Sequence, residues 1–487
     1  WGHNENVVLK KIDSVIYENV PGKILSKTAI TKNGYKGFEV TNRTRRGDFQ
    51  RYNIFVTPFE VILFKMSGNG DYVKLGTEAS QFFNSIEFKN YPGSWKKWSP
   101  SFGGFEAEFP HEPLMTKKEN WQFMSVDKTT NTSYNVLRTD IHNYSFVEED
   151  TFDLALMEES FGASEFIDKQ ISRKHTKAGP YSALDAKYKY KDGSAALVRF
   201  IIKGPHYYTL VAHGRNEHPK MRQFLNSFSI TPFNYGKPKQ LTDTSLYFTV
   251  NSPVPLEKET KISMYPDNLY QYGYYGNNDE SDLVETSTFK TKVIENDSTG
   301  EKVYVSLVKS GRYFYTADTT SNSDSSLFVT DRMDWKFRSK TKYELPNQTK
   351  VFEYVLGDER SSRYVQGKVF TRNGVMTRLE TMGDTLSKPG SFISNFFESF
   401  MPSDTVKGSN PGEKKARIFF EDFFSKDTLL HKRAVFNVNS LEFDSADFTQ
   451  LKKAIESLTW NEKKYMDVKN DFVWKLSNIK TKAASDF

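Results

Sequence analysis

The chain has 487 residues, a net charge of +6 from 67 Lys and Arg against 61 Asp and Glu, and a mean hydropathy of −0.63. Disordered chains are poor in aromatics, whereas 15% of this one is aromatic, with 40 Phe and 26 Tyr, so it can bury cores, and its length implies roughly three domains. The absence of Cys removes disulfide scaffolds, Cys-held zinc, iron–sulfur clusters and thiol catalysis, and no apolar run approaches the ~18–20 residues of a transmembrane helix.

The chain opens at Trp1 without the charged and apolar regions of a secretory leader, and it reads as a segment of a longer protein. Asn33-Gly34 predicts a tight turn. The densest basic run, Arg43, Arg45, Arg46 and Arg51, is interrupted by Asp48, whereas a nucleic-acid surface needs a basic stripe with interleaved base-stacking aromatics. It reads as solvated charge near hairpin tips, and no nucleic-acid partner is expected. Two β-rich runs, 52–56 and 61–68, flank Thr57-Pro58 as a hairpin. Gln81-Phe82-Phe83-Asn84-Ser85-Ile86 then closes a short helical pattern, and Asn90-Tyr91-Pro92-Gly93 reads as a linker.

The same order returns further on. Phe105-Glu106-Ala107-Glu108-Phe109-Pro110 alternates as a half-buried strand that Pro stops. Residues 151–162 place Leu154, Met157 and Phe161 on one helical face before Gly162. A hairpin follows, 198–202 and 207–214 about Gly204-Pro205, and Gln223-Phe224-Leu225-Asn226-Ser227-Phe228 closes the unit. A third unit opens at 247–253, carries strands at 364–370 and 375–382 about Asn373-Gly374, and closes on Asn395-Phe396-Phe397-Glu398-Ser399-Phe400. A weaker fourth echo is Ala454-Ile455-Glu456-Ser457-Leu458. The units expected are 1–88, lacking its start, 102–230, 245–400, and a partial fourth at 413–460. Each would be a strand, a helix, an antiparallel meander and a closing helix. The fold class expected is therefore α+β, as tandem domains of twisted antiparallel sheets covered by helices, followed by a helical C-terminal segment.

Beyond Trp460 the β alternation stops. Tyr465, Val468, Phe472 and Leu476 recur on one helical face, which makes 461–487 the start of a helical region. A lone amphipathic helix is marginal in water. Val468, Phe472 and Leu476 are therefore expected to pack on further helices, from a continuation of the chain or from another subunit.

The opening strand ending in Phe-Pro at Phe105–Pro110, with the closing helix at Phe224–Phe228, resembles the PsbP/Mog1-like α/β sandwich. The pair 248–253 and 396–400 does so less closely, and the first unit only in its closing half. The resemblance implies accessory or binding modules and carries over no catalytic residue. A second resemblance concerns compartment. Asp followed by Ser or Thr and a small or apolar residue is similar to the O-glycosylation site of extracytoplasmic Bacteroidota proteins. It occurs at Ser14, Ser298, Thr319, Thr385, Thr405, Thr428 and Ser445.

Motifs for chemistry are sparse: the chain has no His-Glu-x-x-His, no Gly-x-Ser-x-Gly and no phosphate-cradling glycine loop. No catalytic residue, no cofactor and no enzymatic activity are assigned. His206 and His213 are oddly spaced on a predicted strand and face opposite sides, which opposes a shared metal. Asp279 and Asp282, with Asn278 and Glu285, crowd oxygen ligands as a Ca²⁺ loop would, without EF-hand spacing or its central Gly. Tyr270, Tyr272, Tyr274 and Tyr275 sit among Gly and Asn. Such a segment serves either as a recognition loop for protein or glycan or as packing over the third sheet.

The expected function is a non-enzymatic, extracytoplasmic structural or interaction protein. It would be a subunit or accessory factor of a bacterial envelope or cell-surface assembly with protein partners, in the periplasm or at the surface and in association with the outer membrane. The alternatives are a surface carbohydrate- or ligand-binding protein, or the non-catalytic part of a larger enzyme.

Overall fold

The computed structural model describes residues 5–57, 61–88, 94–142, 149–256, 288–315, 336–460 and 465–487. The chain divides into two compact units, Trp1–Asp140 with Asp150–Phe233, and Ile141–Glu149 with Asn234–Phe487.

The first unit begins with α1 (Glu5–Asn19) and four strands, β1 (Lys23–Lys32), β2 (Tyr35–Arg43), β3 (Phe49–Val56) and β4 (Val61–Gly68), paired in that order. Asn33 and Gly34 both take positive φ, 49° and 82°, as a two-residue hairpin turn requires. Alternation on β3 sends Tyr52 and Ile54 toward Ile16 of α1. Arg51 and Phe55 face the other way. There Arg51 lies 4.5 Å over Phe83 of α3 (Thr77–Asn84), which follows the one-turn α2 (Tyr72–Leu75).

The second module adds β5 (Lys96–Trp98), β6 (Gly103–Phe109), β7 (Leu114–Lys117), β8 (Trp121–Asp127), β9 (Thr132–Asp140), α4 (Asp150–Gly162), β10 (Ile167–Ala178), β11 (Tyr181–Tyr190), β12 (Ala195–Lys203), β13 (His206–Gly214), α5 (Pro219–Ser227) and β14 (Ser229–Phe233). Its main sheet runs β10-β11-β12-β13-β9-β8-β7, and β14-β6-β5 form a small second sheet. Phe105, Ala107 and Phe109 of β6 are buried while Glu106 and Glu108 are not, the period-two pattern of a half-buried strand. Between the two sheets α5 buries Phe224 and Leu225, with Phe228 beyond it, and Phe105 stacks on Phe228 at 5.5 Å. The opposite face of the main sheet carries α4, whose Phe161 meets Tyr188 and Phe200 at 5.0 and 5.9 Å.

In the second unit come β15 (Lys239–Asp243), β16 (Phe248–Ser252), β17 (Thr288–Glu295), β18 (Lys302–Lys309), β19 (Lys336–Glu344), β20 (Lys350–Gly357), β21 (Arg363–Arg372), β22 (Val375–Asp384), α6 (Ser391–Ser399) and β23 (Met401–Pro402). The main sheet is β17-β18-β22-β21-β20-β19 and the small one β15-β16-β23. Strand for strand this is the topology of the second module, with only β7 lacking a counterpart among the described residues. Phe396, Phe397 and Phe400 are buried as Phe224, Leu225 and Phe228 are, and Phe248 stacks on Phe400 at 4.7 Å. The chain is thus built of tandem α+β modules. The first of them consists of a helix, a meander and a closing helix, with no counterpart of the opening strand among the described residues.

Two expectations need correction. Residues 413–460 contain no strand among the described residues. They form α7 (Ala416–Phe423), α8 (Thr428–Asn437) and α9 (Phe448–Ser457), and α10 (Tyr465–Ser477) and α11 (Lys482–Asp486) complete one helical region. The fourth echo is a helix ending, not a mark of the repeat: Ser457 Oγ donates to Ala454 O at 2.8 Å, as Ser85 Oγ does to Phe82 O. Phe419, Phe420 and Phe423 ahead of it fall at helical spacing. Secondly, Val468, Phe472 and Leu476 do not await further helices. They are 7%, 0% and 5% exposed in a core with α7, α8 and α9, where Phe472 meets Phe423 at 5.3 Å and Phe419 at 5.9 Å. Three helices upstream give α10 the surface that 413–460 seemed too short to provide.

Candidate functional site

In the main sheet of each of the three modules a basic residue reaches the closing helix near its end. Arg199 on β12 holds Asp185 on β11 through two bonds, 2.6 and 2.8 Å, and donates to Leu225 O at 2.8 Å. Lys368 on β21 pairs with Glu353 on β20 at 2.8 Å and donates to Phe397 O at 3.3 Å. Arg51 on β3 pairs with Glu39 on β2 at 2.7 Å beneath Phe83, while Lys32 donates to Phe83 O and Asn84 O. A cation at a helix C-terminus satisfies carbonyls that have no partner within the helix and opposes the negative end of its dipole. The serine of the motif has a second duty. Ser227 Oγ accepts from Glu108 N at 2.9 Å and Ser399 Oγ from Asn251 N at 2.7 Å, tying each closing helix to its opening strand. These charged groups are structural.

One buried polar cluster lies at the end of the second module's main sheet. His206 Nδ1 is 2.6 Å from Asp140 Oδ1, and Arg138 pairs with the same carboxylate at 3.0 Å. The Arg138 guanidinium lies over the Phe102 and Phe233 rings at 5.6 and 5.5 Å, and Lys203 lies 4.7 Å over Phe233. Burial lowers the His206 pKa, the Asp140 carboxylate opposes that shift, and Lys203 and Arg138 reinforce it. With Arg138 1% and His206 4% exposed, the cluster is closed to substrate and seals the sheet end. His213 and His218 are separately engaged, His213 with Ser194 Oγ at 2.7 Å and His218 with Thr132 Oγ1 at 2.8 Å.

Of the residues singled out in the sequence, Tyr270, Tyr272, Tyr274, Tyr275, Asp279, Asp282 and Thr319 lie outside the described residues. Ser14 on α1, Thr405 in a turn, Thr428 at the first position of α8 and Ser445 are exposed, whereas Ser298 and Thr385 are half-buried in turns. Local structure already accounts for several of the accompanying Asp residues. Asp384, Asp427 and Asp444 each accept the backbone N–H two residues on, from Leu386, Leu429 and Ala446 at 2.8–2.9 Å. Asp before Ser or Thr is thus also a turn and N-cap device here.

The surface that sequence periodicity missed is the outer face of α10. Met466, Val473 and Trp474, at i, i+7 and i+8, are 54%, 48% and 60% exposed. Trp460, 78% exposed, lies just before the helix with its ring tilted against Tyr465 at 4.3 Å. Lys475 holds the Trp474 end in place, lying 5.1 Å over its ring and donating to Asn439 O and Leu441 O. A second apolar stripe can be read from the sequence, but only the fold shows which stripe is spent on the core.

No protein-family profile matches this sequence, and no curated protein matches it. Among solved structures, the chain is similar to cyanobacterial PsbP (CyanoP) from Synechocystis sp. PCC 6803, at 12% identity over 28% of this chain and 94% of that one, with a TM-score of 0.23. It is also similar to the immunity protein TplEi of T6SS from Pseudomonas aeruginosa, at 9% identity over 64% of this chain and 98% of that one, with a TM-score of 0.17. At these TM-scores neither likeness carries a functional argument.

Proposed function

We propose that this chain is a non-enzymatic interaction protein, a subunit or accessory factor of an extracytoplasmic bacterial envelope or cell-surface assembly. The observation that carries the reading is the exposed apolar face made by Trp460, Met466, Val473 and Trp474. Large apolar side chains left in water along a helix, Trp474 among them, are what a protein interface buries at its centre. The extracytoplasmic placement is supported by the lack of Cys and by the Asp-Ser/Thr triplets with exposed hydroxyl residues at Ser14, Thr405, Thr428 and Ser445. The PsbP/Mog1-like relationship belongs to the same proposal.

The test is a photo-crosslinking amino acid at position 474, and separately at exposed Lys426, in intact cells of the source organism. One stoichiometric crosslinked partner from 474, absent from 426 and recovered in the envelope fraction, is expected. Equal crosslinking at both sites, or recovery of the chain with the cytoplasmic fraction, overturns the reading.

A further inference from the structure

The second unit holds a cavity of about 520 Å³ between the end of β18, the linker after β23, and helices α7 and α8. Its volume falls within the ~300–1,000 Å³ typical of small-molecule sites. Lys309, Arg312, Lys407 and Arg433 line it against one acid, Glu413. Arg312 is spent: its fork holds the buried Asp422 carboxylate at 2.6 and 2.8 Å, and the Tyr313 hydroxyl donates to the same group at 2.7 Å. Glu413 accepts from Asn410 Nδ2 at 3.0 Å. Lys309 and Lys407 are exposed, and their side chains make no hydrogen bond or ion pair among the described residues. Two lysines that make no ion pair among the described residues therefore line a concavity whose wall also includes Arg433.

Backbone hydrogen bonds join the wall segments. Ser310 N donates to Gly374 O and Gly408 N to Asn373 O, both at 2.8 Å, while Ser409 N donates to Ser310 O at 3.2 Å. Gly374, at φ 67°, and Gly408 approach so closely that a Cβ on either would strike the other segment's backbone. The buried Lys415 donates to Asn410 O beside the wall, adding positive charge there, although burial lowers its pKa. With these wall amides committed, recognition falls to the cationic side chains. A concave surface with clustered positive charge concentrates anions, and Lys and Arg are the groups that hold phosphate and carboxylate oxygens.

We infer that this cavity binds a small multivalent oxyanion, a ligand of sugar-phosphate size carrying two or more ionised phosphate or carboxylate groups. This goes beyond the interaction reading and does not depend on the α10 face. The test is calorimetric titration of the whole chain with pyrophosphate, citrate and, as a single-group control, acetate. Pyrophosphate is expected to saturate one site, to bind more tightly than acetate, and to weaken as salt is raised. Citrate distinguishes the sources: equal binding assigns a general polyanion site, and weaker binding a phosphate site. Lys407→Glu and Lys309→Glu are each expected to weaken pyrophosphate binding about tenfold or more, as reversal of a close charge does. Lys388→Glu, the same charge change on an exposed loop that does not line the cavity, is expected to leave it within about twofold. No saturation below about 10 mM pyrophosphate, or equal losses in all three variants, overturns the inference.

Discussion

The second and third modules share one topology and differ at one end of it. Where β9 meets the start of β13, Asp140 pairs in register with His206, and Arg138, Lys203 and Phe233 close the end into a buried network. At the equivalent register β18 meets β22 as Lys309 opposite Val375. There the end carries an exposed lysine and borders the cationic cavity. The third module places its buried charge elsewhere: Lys292 on β17 pairs with Asp243 at the end of β15, with the two side chains only 8% and 3% exposed. A fold holds its core and helix ends constant, because those satisfy obligatory groups, and leaves the ends of its sheets free to differ.

The largest effect tests what is held constant. Phe224→Ala and Phe396→Ala, both fully buried, should each cost about 3–5 kcal/mol, read as lost stability in chemical unfolding. A cost of under about 1 kcal/mol in only one module would break the equivalence of the two closing helices.

Next comes a difference between the modules. Lys292→Met strands the Asp243 carboxylate in a buried site and should cost about 3 kcal/mol, while the double change Lys292→Met with Asp243→Asn should recover much of it. Burial by itself would raise the Asp243 pKa. Hydrogen bonds from Lys292, Ser245 and Leu246 N hold it below the ordinary value nonetheless. The folded value being the lower one, its stabilisation is full above about pH 4 and is lost as pH falls toward the folded value. An acid limb of the unfolding free energy that flattens in the double variant is expected, and an unchanged limb counts against the assignment.

The smallest effect sharpens the shared feature. Arg199→Met should cost roughly 1–2 kcal/mol, since it removes a two-pronged pair and a helix-end bond from a half-buried site. Lys368→Met, which removes single, longer bonds, should cost under about 1 kcal/mol. Equal losses would show that the helix-end carbonyl, and not the acid on the neighbouring strand, sets the value of the cation.

Much of this was legible in the sequence because it depends on local pattern. Alternation in 105–109 marks β6, and the echoes at 223–228 and 395–400 mark α5 and α6, since a closing helix needs apolar residues toward the sheet and a Ser at its end wherever it occurs. Asn33-Gly34 marks its turn because both residues must take positive φ. The fourth echo misled for the same reason: helix endings look alike whether they cover a sheet or join a bundle.

Tertiary structure alone decided which surfaces were spent. Periodicity shows that α10 has an apolar face at Val468, Phe472 and Leu476, but whether that face is covered depends on Phe419 and Phe423, some fifty residues earlier, arriving beside it. Nor could spacing bring Lys309, Lys407 and Arg433 to one cavity, because they lie on a strand end, a linker and a helix that meet only when β23 leads the chain back past the Asn373-Gly374 turn. Residue type and local order set the elements. Burial and the sum of nearby charge are properties of neighbours distant in sequence, and only the folded chain chooses those neighbours.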